Sequence, residues 1–275
     1  MQPAPPIDVI DLFAEMREQL LDLLASLSDD EWAAPTICAP WAVKDLTAHI
    51  IGDDLGVVSR GRDGYNVGFI DVDSYGALVA AINRQNEQWV CAMRHLSPGA
   101  IIEMLRFSDE RAFAHFRSLD FDAIGGPVDW AGPEPAPVWL DVAREYTERW
   151  SHQQQIRDAV DKPGLKDRRF FAPLLDAYVR GVPHAFRDTA APEGTHVRIE
   201  ITGAERAAHG RSCAPTPAGR CTPASTRRRP RRQRSIKRRM APVHERHDAG
   251  RGARARDAIG RCVACRAGEI GRAHV

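Results

Sequence analysis

No Leu, Phe, Tyr or Trp occurs after Ala204, so the last 71 residues of this 275-residue chain lack the side chains that build a protein core. A segment without them cannot bury enough apolar surface to offset the entropy lost on ordering. The sequence therefore predicts that the packed core lies within residues 1–204, a length suited to one domain of ordinary size. Charge divides at the same place. Residues 205–275 carry 19 Lys+Arg against 5 Asp+Glu, a formal +14, so the near-neutral +1 of the whole chain hides a net −13 over the first 204 residues. The opening MQPAPPIDVIDLF has no basic segment followed by an apolar stretch, and no run approaches the ~18 apolar residues of a membrane span. Cys38 and Cys91 are the only cysteines before the basic segment, too few for a disulfide scaffold. These features predict a cytoplasmic protein that does not engage a membrane.

Hydrophobic periodicity reads as helix along most of the acidic part. Residues 7–27 place Ile7, Ile10, Phe13, Met16, Leu20, Leu23 and Leu24 at three- and four-residue spacing, and Val43–Ser59 carries Leu46, His49, Ile50 and Leu55 likewise. Residues 72–95 and a segment opening at Pro98 predict a third and fourth helix. After a Gly/Pro-rich connection, WLDVAREYTERWSHQQQIRDAV predicts a fifth, ended by Pro163 and Gly164, and residues 168–188 a sixth. Only then does THVRIEITG alternate Val197, Ile199 and Ile201 in the manner of a strand. The expected fold class is mainly α: an antiparallel helical bundle over residues 1–190, followed by one strand opening an α+β unit over 191–204.

Within the fifth helix, Glu148 and His152 are four apart. At ~100° per residue they lie about 40° apart around the axis and one turn apart along it, so both side chains reach a common point. A carboxylate and an imidazole on one face of a bundle helix are the raw material of a metal site completed from a facing helix. His49, within the mostly apolar TAHII, is the best third ligand. A His₂Glu set leaves a fourth position open, the arrangement of catalytic zinc. The same spacing also describes an ordinary helix-surface pair. No GxSxG, P-loop or GxGxxG is present.

The stretch DDEWAAPTICAPWAVKDLTAHIIG resembles the signature of the mycothiol-dependent maleylpyruvate isomerase family, actinobacterial relatives of the DinB-like bundles, in which a W..PT.C.GW.V.D...HL pattern supplies the first metal-binding histidine. EYTERWSHQQQIRDAV is similar to the family's second signature. Ala39 departs from the Gly that commonly precedes the Trp. The resemblance covers roughly residues 7–203 and implies a DinB-like antiparallel four-helix bundle with additional helices, with His49, Glu148 and His152 as ligands of a divalent metal, zinc above all. It further implies mycothiol or a similar low-molecular-weight thiol as cofactor: the metal lowers the thiol pKa, and the thiolate adds to a small electrophile in an isomerase or an S-transferase. Arg144, Arg149 and Arg157 are candidate contacts for a substrate carboxylate or the thiol, and each more readily reads as part of a solvated helix face. Cys38, within the loop signature, reads as a buried inert thiol. Two other readings stay open, a non-catalytic metal-binding module and a nucleic-acid arm formed by RRRPRRQRSIKRR at residues 227–239.

The basic segment has a further reading, under which no nucleic-acid partner is expected. Back-translated with allowed codons and read from the third base, Glu205–Thr222 becomes AGGTWSLVRTDAGWTLH, restoring the Gly-Gly-x-Trp turn and apolar strands of the resembled family's C-terminal domain. The final EIGRAHV is the translation of a widely used sequencing-adaptor sequence. Residues 205–275 are thus expected to be a frameshifted, disordered tail ending in adaptor-derived residues, with the α+β domain lost. Cys262 and Cys265 form a lone CxxC there, without a second ligand pair at metal-site spacing.

Overall fold

The computed structural model describes residues 5–65, 75–190 and 192, together with the backbone of residues 197–198, 212–215 and 221–223. Helix α1 (Ile10–Ala25) buries Phe13, Met16, Leu20 and Leu24 on one face. A single turn, α2 (Asp29–Trp32), follows because Ser28 accepts from the Glu31 N–H while the Glu31 carboxylate accepts from the Ser28 N–H, a capping box that satisfies two otherwise orphaned donors. Helix α3 (Val43–Val57) starts where Asp45 accepts from the Ala42 N–H, and it passes into a π-helical turn at Val58–Arg62. Helices α4 (Tyr75–Met93) and α5 (Pro98–Arg117) come next, α5 capped by Ser97 with Pro98 in its first turn. Helix α6 (Val138–Ala159) spans the fifth predicted segment. The predicted sixth helix divides into α7 (Arg168–Arg180), capped by Asp167, and α8 (Val182–Ala185).

Strands enter earlier than the sequence predicts. The Gly/Pro-rich connection forms an antiparallel ribbon of β1 (Ile124–Pro127) and β2 (Pro135–Pro137), whose backbone pairing leaves no period-2 apolar pattern to read. The strand expected at THVRIEITG is β3 (Val197–Arg198), while Ile199 and Ile201 lie outside the described residues. It pairs antiparallel with β4 (Ser212–Pro215), which pairs with β5 (Cys221–Pro223). These two strands fall in the segment expected to hold no packed element; backbone hydrogen bonds need no large apolar side chain, so the missing aromatics do not forbid them. The rest of the basic segment, including residues 227–239, Cys262 and Cys265, lies outside the described residues. Among the described residues no helix is long and apolar enough to cross a membrane.

Helices α1, α5, α3 and α6 contact one another in a closed ring, with α4 against α3 and α7 against α6. The directions of the ring helices follow from their contacts. Asp54 meets Arg149 and His49 meets His152, so α3 and α6 run antiparallel. Phe13 meets Phe116 and Arg17 meets Asp109, so α1 and α5 do too. By contrast, Phe13 meets Tyr146 while Gln19 meets Arg157, and Asp54 meets Ser108 while Gly61 meets His115. The pairs α1/α6 and α3/α5 are therefore parallel, so two helices of the bundle run each way. The cause is α4, which returns the chain along the bundle between α3 and α5.

Among the described residues the core has two large apolar clusters, one around Leu24, Leu46, Ile51, Leu105 and Ile156, the other around Phe13, Phe116, Tyr146, Trp150 and Phe170, and a small third one of Val128, Ala136 and Leu140 under the β1–β2 ribbon. On three ring helices a charged or polar residue falls where one large cluster gives way to the other, Arg17 on α1, Asp54 on α3, and Ser108 with Asp109 on α5, and Arg149 reaches this layer from within the second cluster on α6. Arg149 bridges Asp54 (2.5 Å) and Glu145 (2.6 Å), and Ser108 donates to Asp54 at 2.9 Å.

Asp109 at the edge of this layer is pushed up to about 7, by burial first and by Asp54 second, with Arg149 and Arg17 opposing. Its unfolded pKa is near 3.8, so between these values the unfolded chain ionises while the folded one resists, and stability falls as pH rises from about 4 to 7. Asp109→Asn removes the titration. The melting temperature of that variant relative to wild type is expected to be more favourable at pH 8 than at pH 5; a difference independent of pH would show that Asp109 is not perturbed in this way.

Candidate metal centre

His49 projects from α3 and His152 from α6, each with only 1 % of its surface exposed, and their rings meet edge to face with centroids 4.9 Å apart. Asp53, one turn beyond His49, brings a carboxylate oxygen to 3.1 Å from His49 Nε2. One potential ligand atom from each of His49, Asp53 and His152 lies within 4.8 Å of the others. Glu148 stands one step back, its Oε2 4.0 Å from His152 Nε2, and is not part of that tight group. The structure thus gathers two of the three ligands expected from sequence and adds Asp53. The signal for Asp53 was present in HIIGD, since His49 and Asp53 share the four-residue spacing that singles out Glu148 and His152.

The surroundings orient both imidazoles. The Trp41 ring packs against His49 at 5.0 Å, and His152 Nδ1 lies 2.8 Å from Gln155 Oε1. Burial lowers the His152 pKa to about 4, so the ring is neutral at physiological pH. Asp53 is pushed well above the ordinary carboxylate range, by burial and then by the carboxylates of Glu145, Glu148 and Asp54, with Arg149 opposing. With 36 % of the Asp53 side chain open to the cleft, water tempers the burial part and the crowding of like charge remains. A divalent cation relieves such crowding. Two neutral-capable imidazoles beside a carboxylate are also a donor set that zinc accepts, so the residues fit a divalent ion.

Asp53 and Glu148 also line a cleft of about 330 Å³. Its walls include Arg60 from the π-helical turn, Gln85 and Asn86 from α4, Trp130 from the β1–β2 connection, and Arg144 from α6. Of the three arginines expected to contact ligand, only Arg144 lines this cleft, braced by Asp141 at 2.8 Å and by Glu145. Arg149 is instead buried between Asp54 and Glu145. Arg157 donates to the Pro163 and Gln19 carbonyls at 2.8 and 2.9 Å, tying α6 to the loop after it and to α1. Both have interior partners on other elements that helical spacing does not reveal. Cys38 is buried, as expected, and burial pushes its thiol up to about 11.

A helical bundle that gathers two imidazoles and a carboxylate beside an open polar cleft defines a protein equipped to hold a divalent ion. The family model for the mycothiol maleylpyruvate isomerase N-terminal domain matches residues 13–157, and the chain belongs to that family. Among solved structures, the chain is similar to a mycothiol-dependent maleylpyruvate isomerase at 14 % identity and a TM-score of 0.44, covering 70 % of this chain and 77 % of that one. It is also similar to a histidine-to-alanine mutant of such an isomerase at 13 % identity and a TM-score of 0.43, covering 70 % and 75 %. No curated protein matches.

The tight group makes Asp53 the stronger candidate for third ligand. Asp53→Asn is expected to weaken zinc binding by about 10-fold or more, and Glu148→Gln by less. Competition with a chromophoric chelator measures both; the reverse ranking would restore Glu148 to the place its spacing suggests.

Proposed function

We propose that this protein is a divalent-metal-binding, thiol-dependent isomerase or S-transferase, using mycothiol or a similar low-molecular-weight thiol and a small electrophile such as maleylpyruvate. The observation that carries this reading is that Asp53 belongs both to the His49–Asp53–His152 group and to the wall of a cleft of about 330 Å³, so an ion held there faces a space of small-molecule size. Membership in the family supports the choice of thiol and electrophile.

His49, Asp53 and His152 would hold the ion, zinc being the best match to this donor set, with Glu148 beside them. What such an ion supplies when bound is acidification of a nearby thiol near neutral pH. The remaining work falls to the chain. Arg144, held by Asp141 and Glu145, presents a braced guanidinium to the cleft and can pair with a substrate carboxylate. Trp130, Pro127 and Ile82 give the cleft its apolar wall, which displaces water from the reacting groups. Gln85 and Asn86 offer amides to hydroxyl or carbonyl groups of the thiol's carrier.

The test is transfer or isomerisation with mycothiol and maleylpyruvate in wild type and His49→Ala. Activity is expected to fall by at least ~10²-fold in the variant, a loss of about 2.7 kcal/mol or more in transition-state stabilisation, with helical circular dichroism retained. Unchanged turnover in a folded His49→Ala protein would overturn the enzymatic reading.

A further inference from the structure

The buried His152 ring has two nitrogens, and only one can face the metal group. Nδ1 lies 2.8 Å from Gln155 Oε1, one turn further along α6. A second group approaches the same oxygen: Cys38 Sγ, at 3.2 Å. The Cys38 thiol, 2 % exposed, remains protonated at neutral pH and is a donor. An amide oxygen with two lone pairs accepts from two donors, which requires that His152 Nδ1 carry its proton and leaves the Nε2 lone pair on the side that Glu148 approaches.

Cys38 is brought there by a loop tied onto itself. Thr36 Oγ1 accepts from the Cys38 N–H at 3.2 Å and donates to the Trp41 carbonyl at 2.7 Å, while the Trp41 N–H donates to the Cys38 carbonyl at 2.9 Å. The Thr36 N–H closes the loop on the Trp41 carbonyl at 3.0 Å. The same short loop sets the Trp41 ring 5.0 Å from that of His49. One loop between α2 and α3 therefore braces both imidazoles, His49 directly and His152 through Gln155.

We infer that Gln155, seated by the Cys38 thiol, is a positioning residue that holds His152 in its Nδ1–H tautomer with Nε2 presented to the His49–Asp53 group. The assignment rests on the reading of His152 as a metal ligand, and it concerns this chain's own hydrogen bonding. Cys38 thereby has a use that needs no reactivity: it fixes the amide that fixes the ring. Hydrogen-bonded partners behind metal-binding histidines are worth about 10- to 100-fold in metal affinity.

Nitrogen-15 NMR of the full chain, stripped of metal, reads the tautomer of His152 directly, and zinc affinity is measured in parallel by chelator competition. Wild type is expected to show His152 as Nδ1–H. Gln155→Leu, which removes the acceptor, is expected to shift the ring toward Nε2–H or a mixture and to weaken zinc binding about 10- to 100-fold. Gln155→Glu keeps an oxygen in place and is expected to retain the tautomer. An Nε2–H ring in wild type, or an unaltered tautomer in Gln155→Leu, would overturn the inference. Should Gln155→Leu fail to fold, the wild-type tautomer and its retention in Gln155→Glu decide. A wild-type chain that shows the Gln155-dependent tautomer yet binds no zinc would uphold the positioning role and refute the metal reading, so the two failures are distinct.

Discussion

The bridge that Arg149 makes between Asp54 on α3 and Glu145 on its own helix is the contact on which the site depends. It lies in the polar layer between the two apolar clusters. Apolar packing alone tolerates sliding and rotation of one helix against another; a buried guanidinium between two carboxylates does not, because any displacement leaves a charge unpaired in a medium that solvates it poorly. Breaking such a pair typically costs about 3–5 kcal/mol, even where an apolar replacement of the whole set would be neutral. The bridge therefore acts mainly on register, fixing α3 against α6.

Register is what the metal group needs. Asp54 faces the interior and Asp53, its neighbour at ~100° around the helix, faces the cleft. With Asp54 set on Arg149 and the two helices antiparallel, His49 lies one helical turn from Asp53 on α3 and His152 nearly one turn beyond Arg149 on α6, where their rings meet. The loop carrying Cys38 and Trp41 then orients the rings from outside, and the cleft opens beyond Asp53. The structure orders the parts as interior salt bridge, imidazole pair, shared carboxylate and cleft, each positioned by the one before.

Much of this was legible from residues. Three- and four-residue spacing of apolar residues marked α1, α3 and α5, whose buried faces are mainly apolar. What spacing could not show was the direction of the ring helices, which depends on α4 carrying the chain back along the bundle. It also missed the capping box at Ser28 and Glu31, a single turn too short to have a period, and the β1–β2 ribbon, held by backbone bonds among prolines and glycines. At the site, the four-residue spacing that pairs Glu148 with His152 also pairs His49 with Asp53, but Asp53 stands beside an apolar stretch that hides it. Arg149 and Arg157 look like ligand-binding residues on a helical wheel, and only their partners on other elements reveal them as interior ties.

The site for a divalent ion proposed at His49, Asp53 and His152 stands or falls on whether the chain takes up the ion. Its most direct test is the metal content of the purified full chain after exposure to zinc and gel filtration, measured by mass spectrometry against protein concentration. About one equivalent of zinc per chain is expected, as for one three-ligand site, with the equivalent lost in His152→Ala. A wild-type chain that emerges folded but without metal would contradict it.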